Sequence, residues 1–112
     1  PQDHLKYMVE QYRLRRDYVM RRISEIPGLS CHAPAGTFYA FIDISQLGMP
    51  CEEFAMKLLE ERQVVVVPGT AFGEFGEGYI RLSYATSMQC LEQGLQELEE
   101  FVRSHETKGD PA

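Results

Sequence analysis

Three stretches of the chain repeat apolar residues at intervals of three and four, which is the period of an α-helix. The first covers residues 4–26 and is followed by Pro27-Gly28, a pair that ends helices. The second covers residues 52–62, and the third begins at about Ser87. The apolar positions of the first stretch are Leu5, Met8, Val9, Tyr12, Val19, Ile23 and Ile26. We expect an amphipathic helix at each place.

Four shorter stretches have the composition or the alternation typical of strands. They lie at the start of 29–36, at 37–44, at 64–67 and at 79–84. The four valines of 64–67 predict a strand buried on both faces. The element order α, β, β, α, β, β, α predicts an α/β (α+β) two-layer sandwich. Its sheet is small, mixed and largely antiparallel, with about four strands and with helices on one face.

The length of 112 residues fits one domain. We expect a leading helix at residues 1–27, the body of the domain at 28–106 and a disordered tail at 107–112, where the sequence is polar and contains Gly and Pro. The chain does not begin with Met and starts almost directly in a helical pattern. We therefore expect it to be a piece of a larger protein.

Charge and cysteine content narrow the function classes. The formal net charge of -6 provides no basic surface for nucleic acid, and no apolar run approaches the ~18 residues of a membrane span. The three cysteines show no CxxC spacing, and the histidines are scattered, so neither a metal site nor a disulfide framework is indicated. These features favour a cytoplasmic protein that binds neither nucleic acid nor membrane.

Arg81 stands in the middle of the strand predicted at 79–84. Side chains alternate across a strand, so Arg81 shares a face with Tyr79 and Ser83, opposite Ile80, Leu82 and Tyr84. One interpretation is a solvated arginine, or one paired with a nearby carboxylate: Asp43, Glu74 or Glu77. The other is an anion receptor, because a guanidinium grips a carboxylate through two parallel hydrogen bonds.

Several segments, taken in order, resemble one family. The segment VVVVPGTAFGEFGEGYIRLSYATS is similar to the C-terminal part of class I/II, fold-type I pyridoxal-phosphate-dependent aminotransferases, the aspartate aminotransferase-like group. RRDYVMRRISEIPGL, PAGTFYAFIDI, EEFAMKLLEERQVVVVPG and LEQGLQELEEF resemble other segments of the same family. The resemblance covers about residues 8–103 and implies that residues 28–106 are the small C-terminal domain of such an enzyme.

The resemblance implies a function for the parent protein. Such enzymes transfer an amino group between an amino acid and a 2-oxo acid with pyridoxal 5'-phosphate, usually as homodimers. By matching position, Arg81 is the arginine that binds the substrate α-carboxylate. The backbone around Gly36 resembles a segment that lines the substrate pocket, which is a weaker correspondence. The Gly-rich loop 68–78 would be a mobile edge of the site.

The family's other active-site segments have no counterpart in this sequence. The Schiff-base lysine and the groups that hold the cofactor are absent, so we expect no catalytic, cofactor-binding or metal-binding residue in this chain. The chain alone should be inactive, bind no cofactor and self-associate through surface that the rest of the parent would cover. Two alternatives stay open: a domain of a pyridoxal-phosphate-dependent carbon–sulfur lyase, and a standalone, non-catalytic α/β binding module.

Overall fold

The computed structural model describes residues 2–34 and 37–108. The predicted element order is confirmed. Helix α1 is Gln2–Ser24, strand β1 is Ser30–His32, β2 is Tyr39–Asp43, helix α2 is Cys51–Arg62, β3 is Val67–Pro68, β4 is Tyr79–Ser83 and α3 is Met88–Lys108. Three short 3-10 turns lie between these elements, at Ser45–Leu47, Gly69–Phe72 and Glu74–Gly76. None of the helices in this described part is long and apolar enough to cross a membrane.

The four strands form one sheet in the order β1-β2-β4-β3. All three pairings are antiparallel, which confirms the predicted two-layer fold with a largely antiparallel sheet. The helices pack on one face of this sheet, where alternate strand residues are buried. Every part of the fold contributes apolar side chains to the core. They are Val19 and Ile23 of α1, Ile26 just after it, Ala40, Ile42, Ile80 and Leu82 of the sheet, Phe54 and Leu58 of α2, and Leu91, Leu95, Leu98, Phe101 and Val102 of α3.

Helix ends follow local chemistry. Gly28 has φ +85°, a left-handed conformation that suits glycine and turns the chain into β1 after α1 ends at Ser24. At the start of α3, the Ser87 hydroxyl accepts a hydrogen bond from the Cys90 N–H at 3.1 Å. The pattern of Thr86 and Gln89 predicts a capping box there, but Ser87 is the residue that caps.

One prediction about burial is wrong. The valines at 64–67 do not form a strand buried on both faces, because only Val67 and Pro68 pair with β4, and Val65 is 71% exposed. The N-terminal half of α1 is helical as predicted, and its apolar side chains Leu5 and Val9 are 63% and 62% exposed. Helical periodicity indicates an apolar stripe but not what covers it.

The third helix is joined to the other two by ion pairs. Arg22 of α1 bonds Glu99 at 2.9 Å, and Arg62 of α2 bonds Glu100 at 3.0 Å. The Glu99 carboxylate accepts hydrogen bonds from Arg103 and Arg22. Both lower the pKa of this carboxyl, and the bond from Arg103 has the larger effect. Helix α3 is predicted to end before a tail at 107–112, but it continues to Lys108, and residues 109–112 lie outside the described part.

Candidate functional site

Arg81 lies at the centre of the sheet face that the helices leave uncovered. Strand β4 is an inner strand, and Arg81 is flanked by Phe41 of β2 and Val67 of β3. The predicted alternation is confirmed. Ile80 and Leu82 are buried, whereas Arg81 is partly exposed on the opposite face. Neighbours on both sides give the side chain a more rigid base than a loop would.

The Arg81 guanidinium lies over two aromatic rings. Its carbon Cζ lies 4.5 Å from the centroid of the Tyr39 ring and 4.3 Å from the centroid of the Phe72 ring. Such contacts engage the π face of each ring with the cation and leave the guanidinium N–H groups as donors. Within residues 2–34 and 37–108, no hydrogen bond or ion pair engages those donors. The arrangement can therefore accept an external anion.

The interpretation that Arg81 pairs with a local carboxylate is wrong for the described residues. Asp43 accepts hydrogen bonds from the hydroxyl and the backbone N–H of Ser45, at 2.6 and 2.9 Å, and these lower the pKa of its carboxyl. Glu77 bonds elsewhere in the fold, and exposed Glu74 makes no ion pair with Arg81. Sequence proximity suggests these carboxylates as partners of Arg81, but Asp43 and Glu77 bond to other groups.

Glu77 ties the Gly-rich loop to helix α2. Its carboxylate accepts hydrogen bonds from the backbone N–H groups of Cys51, at 2.8 Å, and Gly78, at 2.9 Å. Cys51 is the first residue of α2, so a side chain from a distant loop caps this helix. The bond from Cys51 is the main cause that lowers the pKa of the Glu77 carboxyl.

The loop 68–78 is closed on itself by a backbone contact between two glycines. A Cβ atom on Gly69 would lie 2.0 Å from the Gly76 carbonyl oxygen, and one on Gly76 would lie 1.9 Å from the Gly69 carbonyl oxygen. The Thr70 hydroxyl also donates to Glu52 of α2 at 2.9 Å. These contacts fix the position from which Phe72 reaches Arg81, while the motion of the loop as a mobile edge stays a prediction.

Gly36, the weaker candidate for the substrate pocket, lies outside the described residues. The next residue, Thr37, is held by several hydrogen bonds. Its hydroxyl donates to the Pro34 carbonyl at 2.9 Å, and its own carbonyl accepts from the buried Tyr84 hydroxyl at 2.8 Å. The chain that leaves this segment is thus anchored to β4, which also carries Arg81. The role of Gly36 stays a prediction.

The aromatic neighbours of Arg81 were not identified from the sequence. The sequence places Tyr39 in a predicted strand and Phe72 in the Gly-rich loop, without linking either to Arg81. The alternation of Tyr39, Phe41 and Asp43 places them on one face of β2, but only the register, with Phe41 opposite Arg81, shows that this is the face of the arginine. No sequence signal indicated the approach of Phe72.

The positions of Lys6 and Lys57 bear on the expectation that this chain holds no cofactor-binding lysine. Lys6 is exposed on α1, and Lys57 lies on α2 with its ammonium 3.2 Å from Glu53. Helix α2 packs on the face of the sheet opposite Arg81. Lys57 is therefore not placed to act with Arg81 on one bound molecule, and the expectation that this chain holds no cofactor-binding residue stays a prediction.

Comparison with known proteins identifies the class. Residues 1–98 match the family described as aminotransferase class I and II, and the chain belongs to this family. It is 46% identical over 95 residues to an aspartate aminotransferase of Pyrococcus horikoshii, a match that covers 85% of this chain and 24% of that protein. The chain spans about a quarter of the length of the curated relatives it matches.

Solved structures agree with the family assignment. The fold superimposes on the alanine aminotransferase of Pyrococcus furiosus with a TM-score of 0.86 and 35% identity, covering 93% of this chain and 27% of that one. A PLP-dependent aminotransferase of Streptococcus suis superimposes with a TM-score of 0.83 and 32% identity, again covering 93% of this chain and 27% of the other. The resemblance seen in the sequence is thereby confirmed at the level of the family and the fold.

Proposed function

We propose that this chain is the small C-terminal domain of a PLP-dependent aminotransferase and that Arg81 binds the α-carboxylate of the substrate. The parent transfers an amino group between an amino acid and a 2-oxo acid. One observation carries the proposal. In a member of this family, a guanidinium stands on the uncovered sheet face with its N–H donors unused by the described residues.

The physical chemistry of Arg81 suits a carboxylate. Two parallel charge-assisted hydrogen bonds fix both the position and the plane of the bound group. Fixing the carboxylate limits rotation of the substrate and so orients the bonds at its α-carbon, which is a positioning contribution to the rate. Asp43 and Glu77 are held by other partners, so they do not compete for the arginine.

The remaining machinery belongs to the rest of the parent protein. Pyridoxal phosphate would supply the carrier for the amino group and the electron sink. Because the family's cofactor-binding segments have no counterpart in this sequence, the binding groups and the catalytic lysine are expected in the part of the parent outside these 112 residues. We further propose that the parent is a homodimer. The aminotransferase names of the relatives favour transamination over carbon–sulfur cleavage.

The test replaces Arg81 in the full-length parent. Arg81→Ala should lower kcat/KM for every amino-acid substrate, because a charge-assisted bidentate contact is lost. The loss corresponds to about 2–4 kcal/mol of transition-state stabilisation. Arg21→Ala is the matched control, since Arg21 is exposed at the end of α1 and its guanidinium lies over the ring of Tyr18, on the same helix. An Arg81→Ala enzyme with the kcat/KM of the wild type would refute the assignment.

A further inference from the structure

Arg81 sits among three aromatic side chains that also contact one another. The Tyr39 and Phe41 rings meet edge to face, with centroids 5.7 Å apart and planes at 87°. The Phe41 and Phe72 rings meet in the same way, at 6.4 Å and 84°. Phe41 is the cross-strand neighbour of Arg81, and the other two rings receive its guanidinium. We call Tyr39, Phe41 and Phe72 the aromatic cradle.

The cradle is assembled from two separate parts of the fold. Tyr39 and Phe41 share the outward face of β2, and Phe72 comes from the loop closed by Gly69 and Gly76. Edge-to-face packing through Phe41 links the two parts. The ring positions are therefore fixed by strand pairing and by the loop closure rather than by the arginine itself.

Holding an arginine with rings differs chemically from holding it with a carboxylate. A carboxylate partner would occupy the guanidinium N–H donors and would have to be displaced by an incoming carboxylate. A ring attracts the cation through its π face and leaves those donors available. A guanidinium that is already oriented also loses less conformational freedom when it binds.

We propose that the aromatic cradle holds Arg81 in its carboxylate-binding orientation and that Phe72 is the positioning residue on which this depends. The proposal rests on the proposed function of Arg81. It adds that the side chain is oriented before the substrate arrives, without an internal counter-ion. The chain thereby keeps the full hydrogen-bonding capacity of Arg81 for the α-carboxylate of an amino acid or a 2-oxo acid.

The experiment compares phenylalanine variants of the full-length parent. Phe72→Leu removes the ring but keeps an apolar side chain, and Phe72→Tyr keeps the ring. Phe75→Leu is the control, because Phe75 lies in the same loop, is 90% exposed and contacts no ring among the described residues. Steady-state kinetics are measured with L-aspartate and L-alanine as amino donors, using whichever is turned over faster, and thermal unfolding checks the fold.

We expect Phe72→Leu to raise KM about tenfold with a smaller fall in kcat, since the carboxylate contact holds the bound substrate and also orients it for reaction. Phe72→Tyr and Phe75→Leu should keep the wild-type KM. In a protein that already carries Arg81→Lys, Phe72→Leu should have no further effect on KM, because the planar guanidinium that the ring orients is gone.

The outcomes separate this proposal from the function assigned to Arg81. If Arg81→Lys lowers kcat/KM but Phe72→Leu leaves KM unchanged, the cradle is refuted and the carboxylate role stands. If Phe72→Leu raised KM by the same factor with and without Arg81→Lys, the cradle would also be refuted, since the ring would act independently of the arginine. If Arg81→Lys has no effect, the proposed function itself fails and the cradle with it.

Discussion

The contact between Gly69 and Gly76 leaves no room for a single added methyl group. In Gly69→Ala, the new Cβ would lie 2.0 Å from the carbonyl oxygen of Gly76 and 2.8 Å from that of Tyr79. Real Cβ atoms essentially never approach another heavy atom within 3.0 Å. The obstructing atoms belong to the main chain, so no rotamer change relieves the clash, and the loop backbone must move by about 1 Å.

The cost follows from what holds the loop. Overpacking of this kind costs about 1–3 kcal/mol. The upper end applies here, because Thr70 and Glu77 bind the loop to α2 on both sides of the contact. For a domain of this size we expect the unfolding temperature to fall by roughly 5–15 °C. Movement of the loop would also carry Phe72 away from Arg81.

The assay is thermal unfolding of the 112-residue chain, with Gly94→Ala as the control. Gly94 lies inside α3, and its added Cβ would meet no heavy atom within 4 Å. That substitution should raise stability by about 0.5–1 kcal/mol, because alanine favours the helix. Since one contact is disrupted from both sides, Gly69→Ala and Gly76→Ala together should cost less than their sum. A Gly69→Ala chain that unfolds at the wild-type temperature would refute the close contact.

Two further predictions concern the exposed helix and the loop carboxylate. The 112-residue chain should self-associate through the uncovered start of α1, giving a light-scattering mass above 12.8 kDa that Leu5→Glu with Val9→Glu reduces and Phe75→Glu does not; a monomeric wild type would contradict this. The folded state lowers the pKa of Glu77, so its contribution to stability is present above pH ~4.5 and lost as the pH falls through the lower folded-state pKa. Between pH 7 and pH 3, the free energy of unfolding measured in urea should therefore fall more for the wild type than for Glu77→Gln. Equal falls would contradict the cap.

Local patterns in the sequence predict most of the secondary structure. Helical and strand periods depend on a few neighbouring residues, so the order of the elements and the alternation around Arg81 could be predicted. The quoted segments also gave the family, because several ordered motifs together are specific. Burial was less predictable. The same apolar spacing describes the exposed Val9 and the buried Ile23, since an amphipathic face does not show whether a partner is present.

Contacts between distant parts of the chain were decided only by the tertiary structure. Whether Arg81 would meet a carboxylate or a ring depended on the register of β2 against β4 and on the closure of the Gly-rich loop. The cap that Glu77 provides for α2 joins residues that are 26 positions apart. The sequence by itself determined that Arg81 shares a strand face with Tyr79 and Ser83, and it determined the family to which the chain belongs. Its aromatic surroundings arise from packing, because they require three chain segments to be brought together in one register.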